Sequence, residues 1–363
     1  MRALLASLLA LAMVSPVLPA QAVDSLPALT VGSATAHRGE RAYGALVIPA
    51  GVDSGTSIQV AVIHGAAPGP IVAFVSGAHG TEYTSIVAMT RLIERLNPAQ
   101  LRGSVIIVPL LNVASFEQMV PHVNPVDRKG MNTQYPGDVT GTQTARVLAS
   151  VAQHVVRMAD VVVDMHGGDL DEDLRPYSYW FRTGVDSQDS ASRKLALAFG
   201  LDMIIVRDLD LTNPASTRSL SGYALSLGKI TFVAEAGHSG LVTAEETAML
   251  VEGSANLLSS LKMMTHPMKP VVHPLWVGPD ERVRAEGGGM FFATVKRGAS
   301  ITKGARVGFI TDYVGRRTGD VVAPQDGVVS FIRGVPSLSK GATIVTVTKR
   351  YEGAPPAYAK PKP

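Results

Sequence analysis

Runs of β-branched, apolar residues that each end in a glycine turn, with helix-patterned segments between them, constrain this chain more than any other feature. "GPIVAFVSG" is continuous and apolar and bounded by glycines, the texture of a parallel strand buried on both faces. "EYTSIVAMTRLIERLNP" follows, with Ile86, Met89, Leu92, Ile93 and Leu96 on one helical face and Asn97-Pro98 to stop it. The same alternation recurs in "GSVIIVPLLN", "TQTARVLASVAQHVVRMA", "DVVVDMHGGD", "SASRKLALAFG", "DMIIVRD", "SLSGYALSLG" and "KITFVAEAGHSG". It ends in a long helix from "TAEETAMLVEGSANLLSSLKMM", where Thr243-x-x-Glu246 fits a capping box. Strands alternating with helices predict an α/β fold, a mostly parallel sheet with helices on both faces. Ligands of such sheets sit outside the carboxyl ends of the strands.

Three polar clusters fall at such strand ends. His79 and Glu82 lie in "SGAHGTEY", Asp164 and His166 in "VVVDMHGGD", and Glu235 and His238 in "FVAEAGHSG". A catalytic zinc commonly takes three protein ligands, often two His and one Glu, and keeps a fourth position open. His79-x-x-Glu82 supplies two donors from one turn, and His166 is placed to supply the third. Asp164 would orient that imidazole or cap the following turn. A bare H-x-x-E is a weak signal; shared placement at strand ends is what strengthens it. A cation there makes water nucleophilic near neutral pH, and a carboxylate must then move the proton. Glu235, at the end of a buried strand, fits that role, because Thr243 already caps the next helix. The donor types suit zinc without excluding another divalent ion that prefers nitrogen and oxygen.

Composition narrows the rest. There is no cysteine in the 363 residues, so no disulfide, thiolate ligand or thiol nucleophile is available. The formal charge is only +3, and no basic patch interleaves with aromatics, which argues against a nucleic-acid partner. Residues 1–22 have the n-region, apolar core and Ala-Gln-Ala ending of a secretory signal peptide. They predict an exported, periplasmic protein with no membrane span after cleavage, since no later apolar run is long enough. The α/β unit is expected over 23–264 and a Pro-rich linker over 265–284. A small all-β unit of short Gly-punctuated runs is expected over 285–350. The tail 351–363 is Pro-rich and expected to be disordered.

Taken in order, "PGPIVAFVSGAHGTEY", "NPVDRKGMNTQYPG", "VVDMHGGD" and "ITFVAEAGHSG" resemble the succinylglutamate desuccinylase/aspartoacylase family, zinc deacylases related to the metallocarboxypeptidases. The resemblance spans roughly residues 45–350. It implies one zinc per chain held by His79, Glu82 and His166, with Glu235 as general base. It also implies a barrel-sandwich C-terminal unit similar to lipoyl domains. No lysine stands at the tip of the central hairpin, "DYVGRRTGD", so lipoyl or biotinyl attachment is not expected. Members typically carry Asn-Arg before an "FPG"-like turn, the arginine gripping a substrate carboxylate; here Asn132 remains and Thr133 stands in place of the arginine. A second arginine, expected near His122, is also absent. Arg128 is the first candidate to compensate, with Arg175 and Arg182 behind it. The activity that the resemblance implies is hydrolysis of an amide or ester in an N-acyl amino-acid-like small-molecule substrate, with Asn132 and Arg128 orienting it. The rival expectations are a carboxypeptidase-like enzyme acting on peptides or cell-wall fragments, and a metal-containing binding protein without catalysis.

Overall fold

The computed structural model describes residues 27–361; the signal segment lies outside the described residues. Its centre is a sheet of 13 strands. Arg102–Val108, Ala67–Ser76, Val161–His166 and Ile230–Glu235 are adjacent and mutually parallel. The antiparallel pair Glu40–Ile48 and Thr56–His64 extends one edge.

Period-two burial sends each strand's side chains to two cores. Val161, Val163 and Met165 face the helices Tyr83–Arg95, Asp186–Phe199 and Ala244–Ser260, in a cluster with Phe74, Met89, Leu92, Phe199 and Phe232. Val162 faces Gln143–Val151 and Leu220–Ser226 on the other side, with Val60, Val75 and Leu148. Ile86, Met89, Leu92 and Ile93 are all buried as the periodicity predicts, each contributing roughly 1.5–3 kcal/mol of transfer energy. Among the described residues, no helix is long and apolar enough to cross a membrane.

Beyond Ile230–Glu235 the sheet turns on itself. Tyr177–Arg182 pairs antiparallel with that strand and parallel with Met203–Asp208. Leu275–Val277 then pairs in parallel with Met203–Ile205. The expected linker is thus half strand: Leu275–Arg284 joins the large sheet, because Trp276 and Val277 bury their side chains there. Leu275–Arg284 pairs with Thr343–Arg350, that strand with Gly327–Arg333, and that one with Glu172–Leu174. On its other side Asp173 bridges His238, with Ser239 N donating to Glu172 O at 2.7 Å, just past the end of Ile230–Glu235. Seven strands therefore close a ring that draws on both the α/β unit and the C-terminal β unit.

Arg297 staples the closing seam: Nη1 donates to Leu174 O at 2.6 Å and pairs with Glu246 at 2.8 Å, while Nε lies 3.2 Å from Asp173. Glu246 is thereby diverted. Thr243 caps the last helix by accepting from Glu246 N and donates Oγ1–H to Glu246 Oε2 at 2.9 Å; the carboxylate otherwise goes to Arg297 and His238 and does not return to the Thr243 backbone as a full capping box would have it.

The C-terminal unit adds a four-stranded sheet, Arg317–Val322, Arg306–Thr311, Gly289–Ala293 and Ser337–Leu338, packed over Phe291, Val307, Val321, Val329 and Val345. The tail departs from its expected disorder up to the last described residue. Pro356 O accepts from Arg182, Tyr358 OH donates to Leu209 O at 3.3 Å, and Lys360 pairs with Asp210 at 3.3 Å. Partner groups on the 182–212 segment hold what composition alone left free.

Candidate metal centre

The turn after Ala67–Ser76 opens with Gly77 at φ 67°, a left-handed conformation that glycine adopts without strain. Gly80 permits a close approach: a Cβ there would sit 2.3 Å from Phe116 N. Glu82 then stands at the N-cap of Tyr83–Arg95 without capping it. Its carboxylate, 1% exposed, is used elsewhere. Oε1 lies 2.5 Å from His79 Nδ1, and Oε2 lies 2.9 Å from His166 Nδ1 and accepts from Gly167 N at 2.9 Å. On the far side of the second imidazole, His166 Nε2 lies 3.0 Å from Asp164. His79 Nε2 lies 3.4 Å from the Asn132 side-chain nitrogen.

These partners fit a cation. With His166 Nε2–H donated to Asp164, the Nδ1 lone pair faces a carboxylate oxygen, two acceptors that need a proton or a metal between them. Donor atoms of His79, Glu82 and His166 all lie within 4.8 Å of one another, and nitrogen–oxygen donors of this kind suit zinc.

Glu235 joins the same cluster. Carboxylate oxygens of Glu82, Glu172 and Glu235 fall within 4.8 Å of one another. Register explains the meeting: Glu235 is the Cα partner of His166 on one side and of Tyr177 on the other, and residues of one row share a face. Tyr177 OH donates to Glu235 Oε2 at 2.5 Å and fixes the carboxyl. Burial, then the Glu82 charge, push Glu235 up to about 8 against the opposing pull of His166. Glu172 is raised to about 7 by burial and Glu82, with His122 and His79 opposing. For Glu82 burial works upward, but the two imidazoles win and hold it far below the usual carboxylate range. In His166 the opposite contest, burial against Asp164 and Glu82, ends well above the usual imidazole value. Three mutually close carboxylates beside two imidazoles gather nitrogen and oxygen donors of the kind a divalent cation takes.

The structure therefore brings His79, Glu82, His166, Glu235 and Asn132 together, and it separates the arginines from them. Arg128 is exposed on the 124–129 loop at φ 62°, and its side chain makes no hydrogen bond or ion pair with the cluster. Arg175 is spent on Asp202 at 2.7 Å and Arg182 on Asp208. Arg182 ends a strand that runs away from the metal edge, so compensation from there is ruled out by strand direction. Thr133 turns inward on its own 3-10 turn, Oγ1 to Gly130 O at 3.2 Å. His122 occupies the second arginine's neighbourhood, but Asp171 at 2.9 Å and Asp169 at 3.1 Å take both ring nitrogens. Burial lowers its pKa and those carboxylates more than restore it, to about 9. His238 is bonded to Glu246 at 2.9 Å and faces the seam.

Sequence reasoning missed Glu172 and Tyr177. Glu172 was hidden in the acidic run "DLDED", while Tyr177 belongs to "YSYWFR", whose period-two aromatics were a legible strand signal.

Comparison with known proteins now bears on the whole arrangement. The family described as succinylglutamate desuccinylase/aspartoacylase catalytic domain matches residues 68–261, more than half of the chain. The chain belongs to this family. It is 28% identical over 323 residues to N-alpha-acetyl-L-2,4-diaminobutyric acid deacetylase of Halomonas elongata, covering 86% of this chain and 89% of that one. Two solved structures share the fold. A succinylglutamate desuccinylase/aspartoacylase from Rhodobacter sphaeroides superposes with a TM-score of 0.76 at 23% identity. The product-bound ectoine utilization protein EutE (DoeB) of Ruegeria pomeroyi gives 0.78 at 22% identity. Each match covers 86% of this chain and 96% of the other. Membership makes this a deacylase-family hydrolase of carbon–nitrogen bonds other than peptide bonds.

Proposed function

We propose that the protein hydrolyses the amide bond of an N-acylated amino-acid-like small molecule, with one divalent cation, preferentially zinc, held by His79, Glu82 and His166. The observation that carries this reading is the meeting of those three donors with the carboxyl of Glu235. The deacetylase relative supports the substrate class. A cation bound there would supply Lewis-acid polarisation of the acyl carbonyl and of water. Glu235, held by Tyr177, takes a proton from the attacking water and delivers it to the amine nitrogen as the C–N bond breaks. The water oxygen stays on the acyl carbon, and Asn132 lies beside His79 to position the substrate's polar groups. Residues 1–22 would direct this chemistry to the periplasm, which N-terminal sequencing of protein recovered from that compartment tests.

Chelation is expected to abolish deacylation and zinc to restore it. Glu235→Gln should keep the metal, measured by elemental analysis, and lower kcat by about 10²–10⁴-fold. A Glu235→Gln enzyme at full speed would remove this residue from proton transfer.

A further inference from the structure

The ring of strands encloses a cavity of about 150 Å³ that begins at the proton-transfer carboxylate. Glu235 and Glu172 line its inner end, and Tyr179, Ile205 and Phe331 line its walls. Arg207, Asp280 and Arg282 line its outer end.

The register fixes this order. His166, Glu235, Tyr177 and Met203 form one row of Cα partners, and Asp164, Val233, Tyr179 and Ile205 form the next. Arg207 lies two residues past Ile205 on the same strand and so projects from the same face. Four residues of strand separate the Glu235 row from the Arg207 row, about 13 Å. Less a hydrogen-bond contact of about 3 Å at each end, that leaves space for a chain of about four or five methylenes.

The charges at the mouth alternate. Arg207 lies 3.6 Å from Asp280 Oδ1, while Arg282 Nε and Nη2 lie 3.0 Å and 2.9 Å from Oδ2. Both arginines are about half exposed (46% and 48%), so they keep donors open to a guest. Two guanidinium groups around one carboxylate complement a carboxylate and an ammonium carried on the same carbon.

We propose that this cavity receives an α-amino acid acylated on its distal side-chain nitrogen. The amide sits at Glu235, the methylene chain runs along Tyr179, Ile205 and Phe331, and the free α-amino and α-carboxylate groups meet Asp280, Arg207 and Arg282. A head group bound there needs no arginine beside Asn132, which accounts for Thr133. The inference rests on the hydrolase reading for its amide but not for its head-group contacts, so the two are tested separately.

Calorimetry on the zinc-loaded protein compares L-lysine with pentylamine, the same chain without the head. L-Lysine should bind about tenfold to a hundredfold more tightly, and Arg207→Ala or Asp280→Asn should erase the difference with zinc content unchanged. In turnover, kcat/KM should be highest for Nε-acetyl-L-lysine, above both N-acetylpentylamine and Nα-acetyl-L-lysine, and Arg207→Gln should collapse the first ratio toward one. Equal binding of lysine and pentylamine, or preference for Nα-acetyl-L-lysine, overturns the proposal. Hydrolysis of simple acyl amides without head-group dependence leaves the deacylase reading standing and removes the subsite. Arg207-dependent lysine binding with no amide hydrolysed does the reverse.

Discussion

The two ends of the strand ring carry comparable numbers of charged groups and treat them in opposite ways. At the inner end Glu82, Glu172 and Glu235 crowd against two imidazoles, with Glu82 and His166 buried and Glu172, Glu235 and His79 half-buried. At the outer end Arg207, Asp280 and Arg282 pair in partial contact with solvent. Burial makes each inner charge depend on its neighbours, because an unpartnered charge there has no solvent to stabilise it. Exposure leaves the outer charges free to exchange water for a guest at small cost. One end is built to hold a cation, the other to recognise a molecule.

Three substitutions break that contrast in descending order. Glu82→Ala strips the carboxylate that both imidazoles face, and should lose the metal and lower kcat/KM by at least about 10³-fold, read by elemental analysis and deacylation assay. Arg297→Ala opens the seam that closes the ring and leaves Glu246 buried with His238 and Thr243 as its remaining partners. Denaturant unfolding should show a loss of about 1–3 kcal/mol, with metal retained. Arg207→Ala, at the exposed end, should change stability by no more than about 0.5 kcal/mol, within the range of a surface ion pair. A large stability loss there would mean that the outer charges are structural, and the contrast between the ends would fail.

Legibility in the sequence follows the same division. The run Ile71–Ser76, its glycine turn and the spacing of His79 and Glu82 are local facts, set by backbone conformation and strand period, and they were readable in advance. So were the helix over Ile86–Leu96 and the strand ends at His166 and Glu235. Tyr177–Arg182 escaped notice because it follows an irregular polar stretch, and its antiparallel pairing inserts a strand into an otherwise parallel progression. Leu275–Arg284 read as linker because the prolines before it, its own Pro279 and its charges outweigh a strand signal that only pairing with Met203–Ile205 completes. Arg175 and Arg182 looked available near the site in sequence, but Asp202 holds Arg175 and strand direction carries Arg182 away.

By itself, then, the sequence determined which residues could bind a metal and at which strand ends they stand, since spacing and apolar patterning are short-range properties. Only the tertiary structure decided that Glu172 and Tyr177 share the site with Glu235, and that Arg207, Asp280 and Arg282 gather some 13 Å along the same face. Those meetings arise from pairing between strands distant along the chain, where a shift of one residue would turn every side chain to the opposite face.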